Sequence, residues 1–128
     1  MSEARRLGLV AVGGAIGALL RYAVSLWLPS ECGVSGCIPW ATVVVNILGA
    51  LLIGVLAGVL VRASRDYLGP LLITGVLGGF TTVSAFAVDT VELLQSGWIG
   101  PALVYVGITV TGGFIAVLVG TRLAGKRS

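Results

Sequence analysis

The sequence predicts an all-α membrane protein with four transmembrane helices in one domain, residues 1–128. Two features of its composition support this: 57% of the residues are hydrophobic and only 10% are charged, against about 25% charged residues in an ordinary soluble domain. The third feature is the grouping of apolar residues into four long stretches, each with the ~20 residues that a helix needs to cross a bilayer. Short connections between them leave no room for a soluble domain.

The apolar stretches define the predicted spans. They cover residues 7–28, 38–61, 68–88 and 99–120. The first contains one charged residue, Arg21, and the other three contain none. Arg5 and Arg6 before an apolar run are also typical of a signal peptide. Arg21 and the lack of a persuasive small-residue cleavage site favour a true first helix.

The basic residues predict the orientation of the chain. Four crossings place seven of the eight on one side of the membrane: Arg5, Arg6, Arg62, Arg65, Arg122, Lys126 and Arg127. Such a bias predicts that both termini are cytoplasmic. Trp27, Trp40 and Trp98 fall at the other side, where an interfacial aromatic belt is expected. The basic residues are explained by orientation, so no nucleic acid is expected as a partner.

The centre of predicted helix 3 favours a break. It reads Gly78-Gly79-Phe80-Thr81-Thr82-Val83-Ser84. Adjacent glycines followed by β-branched and hydroxyl residues are poor helix formers. Backbone groups freed in hydrocarbon cost several kcal/mol each, so a break requires an ion, water or another helix. Carbonyl oxygens suit a hard cation such as Na⁺. The alternative is an unbroken, glycine-rich packing helix.

Polar residues recur along one face of helix 2 and one face of helix 4. Thr42 and Asn46 are four residues apart, as are Tyr105 and Thr109, and this spacing aligns side chains on a helix. Polar groups inside a span either serve a pathway or hydrogen-bond helices together. Four spans enclose little volume, so a pathway is expected between two copies or relatives, and we expect a dimer.

Glycines at i and i+4 predict closely packed helices. The pattern occurs as Gly13-x3-Gly17, Gly54-x3-Gly58 and Gly75-x3-Gly79. It is common in membrane proteins and indicates packing rather than a particular function.

No enzymatic site is expected. The chain contains no histidine, which removes histidine acid–base chemistry and most zinc and haem sites, and no nucleophile–base pair is visible. Cys32 and Cys37 lie in the predicted external loop. They either form a disulfide there or are two incidental free thiols. Asp89 and Glu92 follow the third apolar stretch, so they are expected near the external interface.

Three longer motifs combine these residues: Gly13-Gly14-x2-Gly17-Ala18-x2-Arg21-Tyr22 in helix 1, Asn46-x2-Gly49-x4-Gly54 in helix 2 and Gly75-x2-Gly78-Gly79-x-Thr81-Thr82-x-Ser84-x-Phe86 in helix 3. All three resemble signatures of the fluoride channel family, Fluc (also called CrcB). The similarity follows the whole chain in order, and the helix 3 motif is the specific one.

The resemblance implies a channel that exports F⁻ down its electrochemical gradient from a prokaryotic cell. It implies an antiparallel, dual-topology dimer in the plasma membrane, with a structural, non-transported Na⁺ at its centre. Main-chain carbonyls of Gly78 and Thr81 would hold this ion. The residues matching the pore are Asn46, Phe86, Thr42, Tyr105, Thr109 and Arg21.

Two departures from the family pattern lead to a hypothesis about the partner. The family usually has a second Phe in helix 3, where this chain has Val83. Homodimeric members insert in both orientations and need little charge bias, whereas this chain is strongly biased. The chain is therefore expected to pair with a related subunit of opposite topology. The alternative is a divergent homodimer.

Two other functions remain as alternatives. A small multidrug-type exporter also has four spans, but it needs a carboxylate in helix 1, where this chain carries Arg21. A non-transporting structural subunit would explain the glycines but not Asn46, Arg21 and the helix 3 motif together.

Overall fold

The computed structural model describes residues 1–28, 38–63 and 65–125. In this part of the chain the elements are all helical: α1 (Glu3–Trp27), α2 (Trp40–Leu60), a π-helical segment (Gly69–Leu77), α3 (Gly78–Phe80), α4 (Val83–Gln95) and α5 (Ile99–Gly125). Four helical runs are long and apolar enough to cross a membrane: α1, α2, the third span Gly69–Gln95, and α5. The predicted all-α class with four spans is confirmed. Cys32 and Cys37 lie outside the described residues.

Three of the four spans continue past their apolar stretches at one end, into segments that contain polar residues. α1 begins at Glu3, where the Ser2 hydroxyl accepts a hydrogen bond from the Arg5 N–H at 3.4 Å and caps the first turn. The third span continues to Gln95 rather than ending near Val88. As a result, Asp89 lies within α4, inside the helical run Gly69–Gln95.

α1 packs against the first half of the third span through glycine. A Cβ on Gly13 would overlap the Leu71 carbonyl oxygen, and one on Gly17 would overlap the Val76 carbonyl oxygen. These contacts move in the same direction along both elements, so the two spans run parallel. The backbones touch because neither glycine has a side chain, as the spacing predicted.

α2 and α5 form the second close pair. A Cβ on Gly54 would meet the Val117 carbonyl oxygen at 2.5 Å, and one on Gly120 would overlap the Leu51 carbonyl oxygen. Beyond this contact, Arg62 donates from Nη1 to the Ala124 carbonyl oxygen at 3.1 Å, which joins the ends of both helices.

The basic residues at the helix ends gather at one end of the bundle. We call this the basic end; its described members are Arg5, Arg6, Arg62, Arg65 and Arg122. Residues 38–40 and 95–98, which lie at the opposite end in the described chain, include no basic residue.

Two extended residues separate α3 from α4. Thr81 has ψ 152° and Thr82 has φ −146° and ψ 114°, values far from those of a helix. Thr82 caps α4, since its Oγ1 accepts a hydrogen bond from the Ala85 N–H at 3.1 Å.

Candidate functional site

Asn46 pairs with the backbone of Thr82, one of the two extended residues between α3 and α4. Its Oδ1 accepts a hydrogen bond from the Thr82 N–H at 2.8 Å, and its Nδ2 donates to the Thr82 carbonyl oxygen at 3.0 Å. One side chain thus replaces both backbone partners that Thr82 would have in a helix. The second N–H of Nδ2 has no acceptor in the described part of the chain, and it remains available as a donor.

At these two extended residues, two carbonyl groups lose the donors that they would have in a regular α-helix. In a continuous α-helix, Thr82 N–H would bond to Gly78 O and Ala85 N–H to Thr81 O. Here Thr82 N–H bonds to Asn46, and Ala85 N–H bonds to the Thr82 hydroxyl. These two carbonyls are the ones that the family resemblance implies as sodium ligands.

The side chain of Thr81 is hydrogen-bonded within α3 and is not available to a ligand at this site. Its hydroxyl donates to the Leu77 carbonyl oxygen at 2.9 Å, and its N–H bonds to the same oxygen at 2.9 Å. Both groups close the end of α3. Any ligand role of Thr81 therefore belongs to its main-chain oxygen.

The carboxylate of Asp89, two turns further along α4, connects α4 to both α2 and α5. Asp89 Oδ2 accepts hydrogen bonds from the Thr42 hydroxyl at 2.7 Å and the Tyr105 hydroxyl at 2.9 Å. Tyr105 is fully buried, with 0% of its surface exposed. Two of the hydroxyls nominated as pore donors are therefore hydrogen-bonded to this chain's own carboxylate.

Asp89 was not predicted to be a site residue. The apolar stretch ends at Val88, so the carboxylate was expected near the external interface. A comparison of helix positions could have found it: Thr42 lies near the start of α2, Tyr105 two turns into α5, and Asp89 two turns before the end of α4. These positions share a depth because α4 runs antiparallel to its two neighbours.

Three of the nominated pore residues meet in one groove. This groove, of about 420 Å³, runs between α2, α4 and α5 and includes Asn46, Phe86 and Thr109 in its walls. We call it the α2–α4–α5 groove. The Thr109 Oγ1 is buried and has no hydrogen-bond partner in residues 1–28, 38–63 and 65–125. An unpaired hydroxyl at such a position is costly, and it is a donor for a guest molecule or ion.

Phe86 borders the groove and packs against the buried tyrosine. The ring centroids of Phe86 and Tyr105 are 5.3 Å apart, with the planes tilted by 38°. Val83, one turn earlier on α4, lines the same groove and is 80% exposed. The wall of α4 therefore presents one aromatic ring and one aliphatic side chain.

A separate cavity contains Arg21. It has a volume of about 320 Å³ and lies between α1, α2 and α4, with Arg21, Thr42, Thr82 and Asp89 among its lining residues. Arg21 is half-buried. We call this the Arg21 cavity. α2 and α4 separate it from the α2–α4–α5 groove, so the nominated pore residues are distributed over two openings rather than one channel within the subunit.

The groups available to a metal ion at this site are backbone carbonyls, not carboxylate or histidine side chains. Within the described residues, no group of three or more His, Cys, Asp or Glu side chains could hold a metal ion. The carbonyl oxygens of Gly78 and Thr81 are hard ligands that suit an alkali or alkaline-earth cation.

Comparisons with known proteins agree with the motifs. The family model described as CrcB-like protein, Camphor Resistance (CrcB) matches residues 8–121. A protein of Novosphingobium aromaticivorans named fluoride-specific ion channel FluC is 43% identical over 115 residues, which cover 89% of this chain and 91% of that protein. Proteins with the same name from Erythrobacter litoralis and Thermus thermophilus are 43% identical over 119 residues and 42% identical over 122 residues. These matches cover 89% and 91% of this chain, and 88% and 91% of the respective relatives.

Proposed function

The chain belongs to the CrcB-like protein family, and from this premise we propose that it is a fluoride-specific ion channel. It lets F⁻ leave a prokaryotic cell down its electrochemical gradient and so lowers cytoplasmic fluoride. The family consists of ion channels, which agrees with the prediction that the chain is not an enzyme. The four apolar spans make it a multi-pass membrane protein, and its basic end is assigned to the cytoplasm.

The observation that carries this proposal is the α2–α4–α5 groove lined by Asn46, Phe86 and Thr109, with a Thr109 hydroxyl that is buried without a partner in the described part of the chain. Fluoride is a small anion with tightly held water, so its pathway must supply replacement hydrogen-bond donors. Thr109 supplies an O–H and Asn46 its second amide N–H. Phe86 supplies a ring edge, which carries positive partial charge.

The Arg21 cavity is proposed as the approach to the pathway. Its half-buried guanidinium attracts anions, and although Asp89 also lines the cavity, no ion pair joins the two side chains in the described part of the chain. Thr42 and Tyr105 continue the route as hydroxyl donors. Since both donate to Asp89, their protons reach a passing anion only by exchange with this carboxylate.

A structural Na⁺ is proposed at the interruption of the third span, which we take to be a helix break within the membrane. The carbonyls of Gly78 and Thr81 support this assignment, because the donors that would bond to them in a helix are engaged elsewhere. Bound there, the ion would add positive charge at the break without being transported. Two carbonyls are few for a hard cation, so the site is completed by the same pair in a second subunit.

The second subunit is proposed to lie antiparallel to the first. The α2–α4–α5 groove is open along one side, where Val83 and Phe114 are 80% and 73% exposed. The strong charge bias favours a related subunit of opposite topology, which would supply the aromatic ring that Val83 lacks. A homodimer with one altered aromatic position remains the competing assembly.

Fluoride efflux from liposomes tests the function and the assembly together. The protein is purified alone and with a related four-span subunit, and efflux is followed with a fluoride electrode under a potassium gradient and valinomycin. We expect conduction from the mixed preparation and little from the chain alone. Conduction by the chain alone would establish the homodimer, whereas no fluoride flux from either preparation would contradict the channel function.

Phe86→Ile provides the pore control in the same assay. Isoleucine keeps the side chain apolar but removes the ring edge, so we expect a sharp loss of fluoride efflux. Phe114→Ile changes an aromatic residue elsewhere in the groove and is the matched comparison. An unchanged flux in Phe86→Ile would show that this wall does not face the ion.

A further inference from the structure

A second kind of groove lies at the basic end of the molecule. It has a volume of about 560 Å³ and separates the start of α1 from the start of the π-helical segment. Arg6 provides its only charged side chain, and Leu7, Val10, Pro70 and Ile73 provide apolar surface. It shares no lining residue with the Arg21 cavity or the α2–α4–α5 groove.

The polar and apolar parts of this groove are separated by depth. α1 and the third span run parallel from the basic end, so Arg6 and Gly69 lie at its outer rim. Val10 and Ile73 lie one helical turn further in, about 6 Å deeper. Gly69 leaves the rim open, since nothing lies within 4 Å of the position of a Cβ there. The groove is therefore charged at the membrane surface and mostly apolar below it, with Thr74 as the one polar side chain in its deeper part.

The charge of Arg6 is available to a ligand. In residues 1–28, 38–63 and 65–125, its side chain has no hydrogen bond or ion pair, although Glu3 lies on the same helix and Asp66 on the loop before the third span. These two carboxylates oppose five arginines at the basic end. The local field therefore favours an anion, even with one guanidinium N–H of Arg62 donated to α5.

We propose that this groove binds one anionic phospholipid of the surrounding bilayer. The phosphodiester accepts hydrogen bonds from Arg6, and the first part of an acyl chain lies against Leu7, Val10 and Ile73. Basic pockets between transmembrane helices select anionic headgroups in this way. A phosphatidylcholine headgroup would bring its own cation toward the same arginines, and a free anion would leave the apolar part of the groove unfilled.

Lipid binding to the purified full-length protein in detergent tests this assignment. Native mass spectrometry measures binding of dioleoyl phosphatidylglycerol, dioleoyl phosphatidylcholine and inorganic phosphate, and thermal unfolding is recorded with each. We expect phosphatidylglycerol to bind with one tight site per chain and to raise the unfolding temperature. Phosphatidylcholine should bind more weakly, and phosphate should not reproduce the rise.

Variants separate the groove from general surface charge. Arg6→Gln should weaken phosphatidylglycerol binding about fivefold, the factor that corresponds to one basic side chain near an anionic headgroup. Arg122→Gln is the matched control, because Arg122 is exposed near the same end of the bundle but does not line the groove. It should leave the tight site unchanged.

Two apolar positions test the acyl part of the site. Ile73→Trp fills the groove without changing charge and should displace the lipid. Leu7→Gln is the milder second variant, because Leu7 is 69% exposed and its substitution should not prevent folding. Equal weakening by Arg6→Gln and Arg122→Gln, lipid binding unaffected by both apolar variants, or equal protection by phosphate would each overturn the proposal.

Discussion

The side chain of Asn46 takes the place of the backbone hydrogen-bond partners of Thr82. Its amide gives Thr82 one donor and one acceptor, as a neighbouring strand would, and it does so inside an apolar bundle. Such a pairing requires a group with both an N–H and a carbonyl oxygen at one end, which only Asn and Gln side chains provide. The identity of residue 46 is therefore fixed by the interrupted helix as well as by any ion in the groove.

Asn46→Asp should abolish fluoride efflux and destabilise the protein. A carboxylate accepts from the Thr82 N–H but cannot donate to the Thr82 carbonyl, and the unmade bond at a part-buried site costs about 1–3 kcal/mol. Its negative charge also repels fluoride. Efflux and unfolding in detergent are the two measurements, with Ala50→Ser, on the same groove wall, as the control. Wild-type efflux from Asn46→Asp would remove Asn46 from the pathway.

Thr109→Val should separate stability from conduction. Valine has nearly the shape of threonine but lacks the hydroxyl that is buried without a partner, so we expect unchanged or slightly increased stability. Fluoride efflux should fall because a donor in the groove is lost. Thr111→Val, at an exposed position on α5, should change neither quantity. A destabilised Thr109→Val with normal efflux would indicate a structural hydroxyl instead.

At the scale of elements, glycine spacing predicts which faces pack but not which helices meet. The spacing of Gly13 and Gly17 identified the packing face of α1, and the structure shows that its partner is the π-helical segment. Asp89 illustrates the opposite case, since a hydropathy criterion ended the third span before the carboxylate. Hydrogen bonds between distant residues, such as Tyr105 with Asp89, depend on the relative height of helices, which composition does not encode.

Gly17→Ala should weaken the contact between α1 and the third span. Its new methyl group would overlap the Val76 carbonyl oxygen, which belongs to backbone and cannot rotate away. Overpacking of this kind costs about 1–3 kcal/mol. The free energy of unfolding in detergent measures the loss. Gly14→Ala on the same helix is the control, because nothing lies within 4 Å of the new Cβ; equal effects of both substitutions would contradict this packing.

Across the whole molecule, the basic residues are concentrated at one end, and this distribution determines how the chain inserts into the membrane. All described basic residues at helix ends lie at the basic end, and residues 38–40 and 95–98 at the other end carry none. Sequence alone predicts this because loop charges can be counted once the number of spans is known. The same counting does not show whether the chain has a partner subunit, since the surface of such a partner is not part of the chain.

A C-terminal reporter should show a single orientation. Fusions to green fluorescent protein and to alkaline phosphatase are active on opposite sides of the inner membrane, and we expect activity only from the cytoplasmic one. Substitution of Arg62 and Arg65 by serine weakens the bias and should increase the phosphatase signal. Comparable activity of both fusions in the unaltered chain would indicate dual topology and remove the reason for a heterodimer.

The pairing of Asn46 with Thr82 also affects the order of biogenesis. Because both groups belong to one polypeptide, the kink in the third segment can form as soon as a newly made subunit leaves the translocon. This local arrangement requires neither the proposed sodium ion nor the proposed second subunit. If the channel is a dimer, its subunits would therefore meet in the bilayer already folded at this position.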